Sequence, residues 1–118
     1  MTFGTTEGKP WVEAFSTEPG KFTGRTFSRF HILSDRMSIP SVAEIWATPD
    51  HVVESHVHTS DELFYVLRGA IEVNGKRVGP REVVFIPRNT SYGARVLTND
   101  GAHVLRIELP VTDDTNPG

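Results

Sequence analysis

The 118-residue chain contains no cysteine. That excludes disulfides, thiolate metal sites and a cysteine nucleophile, so any metal must be held by nitrogen and oxygen ligands. Long apolar runs are absent too, and nothing approaches the roughly 20 residues needed to cross a bilayer. No charge of one sign dominates: 12 Lys and Arg against 15 Asp and Glu leave a formal net charge of −3, without the basic stripe that suits a nucleic-acid backbone. Met1 to Glu7 lacks the basic-then-apolar order of a secretory signal. Internal repeats, low-complexity tracts, heptads and any helical period over two turns are all missing. The expectation is a single cytoplasmic domain whose partner is a small molecule or a second copy, with no nucleic acid and no membrane involved.

What remains is strand after strand. Residues 1–24 are rich in Gly, Thr, Pro and Glu and read as an arm anchored by Trp11 and Phe15, and 110–118 read as a flexible tail. Between them, Arg25 to Leu33, Val42 to Thr48, Glu62 to Arg68, Ala70 to Val73, the return at Arg77 and Val78, Val83 to Ile86, Tyr92 to Thr98 and Ala102 to Leu109 alternate with turn chemistry. Asn74-Gly75 is a hairpin signal, because a type I′ turn needs positive φ at both central residues. Short strands at this spacing predict an all-β sandwich or barrel of antiparallel strands.

Within Glu62 to Arg68, Glu62 shares a face with Phe64 and Val66, while Leu63, Tyr65 and Leu67 share the other. Both faces are apolar, so the strand is expected to be covered on both sides. A carboxylate on a buried face is costly unless it is paired or bound to a metal. His56 and His58, two residues apart, project from one face of an extended chain. Two histidines and a carboxylate can occupy one face of a metal's coordination shell. They can equally be exposed strand histidines and a surface acid.

The run His56-Val57-His58-Thr59-Ser60-Asp61-Glu62, followed six residues later by Gly69, resembles the first motif of the cupin family, and the stretch from Val42 to Leu109 follows the family's layout. The resemblance implies a double-stranded β-helix, or jelly-roll, barrel over residues 25–109, usually dimeric, with one divalent metal ion inside the barrel mouth. Fe2+ is the first choice, with Mn2+, Ni2+ or Zn2+ as the others, and His56, His58 and Glu62 are the implied ligands. Two positions depart from the family. Asp50 stands where a Gly often opens the first motif. In the second motif Pro87-Arg88-Asn89-Thr90-Ser91-Tyr92 puts Asn89 in place of Gly and Tyr92 in place of the ligand His. Asn89 suits the position because Asn tolerates left-handed backbone angles.

Tyr92 has three readings: a phenolate ligand, a general acid or base beside the metal, or an apolar filler with a bonded hydroxyl. His103 alternates with Leu105, Ile107 and Leu109 on an apolar face. It is expected to point inward as a core residue, a fourth ligand or an acid–base group. Glu44 is expected as a further polar group of the cavity, His51 at its rim, and His31 as structural or at a dimer interface. The function implied is a metal-dependent enzyme, first a dioxygenase on a small diol, diketone or aromatic molecule. Its rivals are a Lewis-acid lyase or isomerase with Tyr92 as proton donor, and a non-catalytic binding module.

Overall fold

A computed structural model describes residues 1–14, 22–35 and 37–111. Among the described residues eleven strands run in order: β1 Val12–Glu13, β2 Phe22–Thr23, β3 Thr26–Ile32, β4 Ser41–Ala47, β5 Val52–Val57, β6 Glu62–Arg68, β7 Ile71–Val73, β8 Lys76–Val78, β9 Val83–Ile86, β10 Ser91–Val96 and β11 Ala102–Glu108. The described residues include no helix, and hence none long and apolar enough to cross a membrane. Two antiparallel sheets form, in the orders β1-β3-β4-β11-β6-β9 and β2-β5-β10-β7-β8. The expected all-β jelly roll is what the chain builds.

Turn chemistry sets the registers. Asn74 and Gly75 both take positive φ, 49° and 83°, and close the β7–β8 hairpin so that Val73 faces Lys76. Asn89 takes φ 61°, the left-handed conformation that its short polar side chain tolerates. Gly69 (φ 78°) lies so close to the Gly101 carbonyl that a β-carbon there would overlap it.

The core lies between the sheets. Val66, Ala47, Ala102 and Val104 of the six-stranded sheet meet Ile71, Val73, Val78, Tyr92 and Val96 of the other. The outer face of the six-stranded sheet is only partly covered: Leu67 is 42% exposed, Val83 57% and Phe85 51%. Full cover of both faces of β6, expected from its apolar run, is therefore corrected. An antiparallel sheet needs only one buried face.

Three strands fall where turn-to-turn reading left none. β5 carries Glu54 and Ser55 between its valines and so lacks an apolar run. β1 and β2 are two residues long and lie within the arm, where β1 pairs with β3 and β2 with β5. Trp11 lies over Arg29, with the guanidinium 4.2 Å from the ring centre. Phe15, the other expected anchor, and the tail from residue 112 onward lie outside the described residues.

Candidate functional site

His56 ends its turn on β5 opposite Tyr92 of β10, and His58 follows in the connection to β6. That connection is tied down by its backbone: the Asn89 amide donates to the His58 carbonyl at 2.8 Å and the Leu109 amide to the Asp61 carbonyl at 2.9 Å. The Asp61 carboxylate accepts the Arg88 amide at 2.7 Å. Both histidines are thereby fixed against the turn that carries Tyr92.

The imidazoles converge. Nε2 of His56 lies 2.8 Å from Nε2 of His58, and Nδ1 of His56 lies 2.8 Å from the Glu54 carbonyl oxygen. A carbonyl only accepts, so Nδ1 of His56 carries a proton, and in the neutral imidazole Nε2 presents its lone pair to His58. Burial pushes the His58 imidazole below its ordinary value, and the positive charge of Arg106 adds to this against the pull of Glu62.

Glu62 opens β6 and is completely buried. Its Oε2 accepts from Nε of Arg106 at 2.7 Å, its Oε1 accepts from the Tyr92 hydroxyl at 3.2 Å, and Oε1 lies 3.7 Å from Nε2 of His58. Such partners are what an anion removed from water requires. Burial, then the charge of Glu62, holds the Tyr92 hydroxyl protonated, well above the ordinary tyrosine range. Burial works against the charge of Arg106, but Glu62 and Glu108 outweigh it and raise its affinity for the proton.

His56, His58, Tyr92 and Arg106 form one end of a cavity of about 500 Å³ between the sheets, lined also by Phe64, Ile45, Val53, Ile71, Ala94 and Val104, with Glu62 buried behind them. His51 lies at its rim as expected, with Nδ1 bonded to the Thr23 carbonyl at 3.0 Å.

His103 is not among the cavity-lining residues, and its expected inward orientation is corrected. On β11 the inward residues are Ala102, Val104 and Arg106, paired with Ala47, Ile45 and Ala43 of β4. His103 and Leu105 face the other way. There Nε2 of His103 bonds Oε1 of Glu44 at 2.9 Å. Glu44 too belongs to this outer face, not to the cavity. Its Oε2 accepts from Thr6 of the arm at 2.6 Å and lies 2.9 Å from Nε2 of His31. The apolar neighbours of His103 pointed sequence reading inward, but they form the partly covered outer surface.

Arg106 is the residue that sequence reading left unassigned. Its signal was indirect: a buried Glu62 demands a cation, and Arg106 is the basic residue that shares a face of β11 with the apolar Ala102 and Val104.

A family model of the cupin domain matches residues 47–108, more than half of the chain. The chain belongs to the cupin family. Three solved cupin-like structures show the same fold. KdgF from Halomonas sp. is 22% identical, with TM-score 0.68 and 98% of each chain covered. A putative acetylacetone dioxygenase from Methylibium petroleiphilum is 13% identical, with TM-score 0.74, covering 100% of this cupin and 85% of that chain. The polyketide cyclase RemF from Streptomyces resistomycificus is 22% identical, with TM-score 0.71, covering 92% and 78%. No curated protein sequence matches this cupin.

The residues present can be tested against the metal that the family implies. Two ligands side by side on one ion, each about 2.0–2.1 Å from it, stand about 3 Å apart. The His56–His58 nitrogens meet that spacing, and the Glu54 carbonyl orients the first of them as the outer partner of a metal-bound imidazole does. Glu62 stands farther out and is held by Arg106. Among the described residues no three His, Asp or Glu side chains are already gathered as a coordination shell. The imidazole pair has the spacing of two adjacent ligands of a divalent ion, and Glu62 lies beside it at 3.7 Å from His58.

Proposed function

We propose that this cupin is a metal-dependent enzyme on a small oxygen-bearing molecule, with His56, His58 and Glu62 holding one divalent ion. Fe2+ is the first choice and dioxygenation of a diketone, diol or aromatic compound the first reaction. The observation that carries the reading is the 2.8 Å approach of the two imidazole nitrogens, one of them a lone pair by virtue of the Glu54 carbonyl. A proton on Nε2 of His58 satisfies this contact in the metal-free protein, and a divalent ion would take its place between the two nitrogens. When bound, a ferrous ion supplies activation of dioxygen, and a redox-inert ion supplies polarisation of a carbonyl.

The chain's own residues do the rest. Arg106 neutralises Glu62 and fixes its orientation through Nε, so the carboxylate cannot turn freely behind the cavity wall. Tyr92 holds a proton at its hydroxyl, directed at Oε1 of Glu62, with its ring 4.5 Å from that of His56. The apolar walls keep water from the far side of the bound molecule. The name of the Methylibium protein, an acetylacetone dioxygenase, agrees with a diketone substrate.

The protonated Tyr92 favours a second reading, a lyase or isomerase in which this hydroxyl donates the proton. A cytoplasmic homodimer completes the proposal, with the exposed Val83, Phe85 and Leu67 of the outer face as its contact.

Elemental analysis of the purified protein beside His58→Ala tests the metal. One equivalent in the parent protein and loss in the variant is the expected result, whereas unchanged content in the variant defeats the proposed ligand set. Oxygen uptake with acetylacetone and catechol then separates the readings. Uptake supports dioxygenation, substrate loss without uptake supports the lyase or isomerase, and neither one leaves a binding module.

A further inference from the structure

The cavity has two unlike halves, and strand register puts each in its place. Tyr92 pairs with His56 at one end of β10, while Ala94 pairs with Val53 farther along. On the facing sheet, Val104 pairs with Ile45 and with Val66, and Arg106 lies two residues on toward Glu62. One half thus holds His56, His58, Tyr92 and Arg106. The other is walled mainly by Val53, Ala94, Val104, Ile45 and Ile71, with Thr26, His51 and Arg95 also on its lining.

The cations at the cavity are already matched. Arg106 faces Glu62 at 2.7 Å and Glu108 at 3.5 Å, and Arg95 faces Glu72 at 3.0 Å. A second carboxylate on a ligand would meet no uncompensated side-chain charge in the apolar half. Sugar hydroxyls set against those five apolar side chains would lose water without gaining partners, which is unfavourable for every buried hydroxyl.

We propose that the natural ligand has a polar head of one or two oxygens at the imidazole end and an apolar body, aliphatic or aromatic, filling the opposite half. Sugar acids and short dicarboxylates are then poor ligands. This deepens the proposed function, on which the assignment of the head to the imidazole end rests.

The test uses the full chain and straight-chain monocarboxylates from acetate to octanoate, with benzoate, oxalate and galacturonate as comparisons. Affinities are read from amide chemical shifts in the nuclear magnetic resonance spectrum, with and without added Zn2+. Each methylene buried in an apolar wall tightens binding by about fourfold, so affinity is expected to climb along the series until the cavity is full. Benzoate should join the climb, and oxalate and galacturonate should bind no better than acetate. Ala94→Leu narrows the apolar half and should end the climb at a shorter chain. A flat series, or galacturonate or oxalate binding tenfold tighter than hexanoate, overturns the proposal. Repeating the series on His58→Ala separates the two readings. A climb that persists while metal content is unchanged in that variant condemns the ligand set and leaves the apolar body standing. Loss of the climb in the parent protein with one equivalent of metal bound does the reverse.

Discussion

Arg106 reaches across from β11 and donates to Glu62 at 2.7 Å, joining the fully buried carboxylate of β6 to the neighbouring strand of the sheet. Glu108 of β11 pairs with Glu62 in register and lies 3.5 Å from the same guanidinium. Two carboxylates therefore share one cation. Removing the cation leaves Glu62 buried and unpaired, which typically costs about 3–5 kcal/mol. Arg106→Met should lower the free energy of unfolding in urea by about that amount. Adding Glu62→Gln to it should recover part of the loss, because the uncompensated charge is gone.

Tyr92→Phe removes one donor to Glu62 and nothing from the packing of the ring against Phe64 (centroids 6.1 Å apart). A hydrogen bond to a charged group contributes about 1.5–3 kcal/mol. The variant should stay folded, unfold at lower urea, and keep its metal content. Turnover that survives unchanged would reduce Tyr92 to packing, and turnover lost with metal retained would give its hydroxyl a part in the chemistry.

Glu44 predicts an acid transition. Burial, the largest influence, pushes its carboxyl up, but hydrogen bonds from Thr6 and His103 and the charge of Arg29 outweigh it and hold the group below the usual carboxylate range. In the unfolded chain the ordinary value returns, so the unfolded state binds the proton first. The stabilisation is fully present above the unfolded value, near about pH 4, and is lost as pH falls through the lower folded value. Thermal melts from neutral pH downward should show a steeper loss in the parent protein than in Glu44→Gln. The variant should start lower at neutral pH, by about 1–3 kcal/mol for a buried group left with poor partners.

Gly69→Ala should be disproportionately harmful for a single methyl group. The residue sits at φ 78° against the Gly101 carbonyl, so the change combines left-handed strain with overlap. Strain of that kind alone costs about 1–3 kcal/mol. Gly75→Ala supplies the control, since its φ is 83° and a β-carbon there meets nothing within 4 Å. A melting temperature equal in the two variants would remove the steric part of the argument.

Much of this was legible in the residues. Turn chemistry at Asn74-Gly75 and a left-handed Asn89 are local facts, decided by side chains that tolerate positive φ, and they appear where expected. The motif from His56 to Gly69 carried the family. Faces were harder. His103 and Glu44 alternate correctly with their neighbours, yet alternation says only which residues share a face, not which face is inside. On β11 the apolar Leu105 and Ile107 lie outside while Arg106 lies inside, because the interior contains the Glu62–Arg106 pair. Parity also failed across β5. Val53 and His56 are three residues apart and should point to opposite faces, but both line the cavity.

The cause is a bulge: two steps along β10, from Tyr92 to Ala94, match three along β5, from His56 to Val53. Gly93 accommodates it, since a β-carbon there would lie 3.1 Å from the Val53 carbonyl and 3.3 Å from the Ser55 amide. The extra residue works as a phase joint between the two halves of the cavity. Slippage or exchange of residues on the Val53 side need not rotate the imidazoles on the other. A lineage could thus refit the apolar half to a new molecule while the pair at His56 and His58 stays aimed where it was.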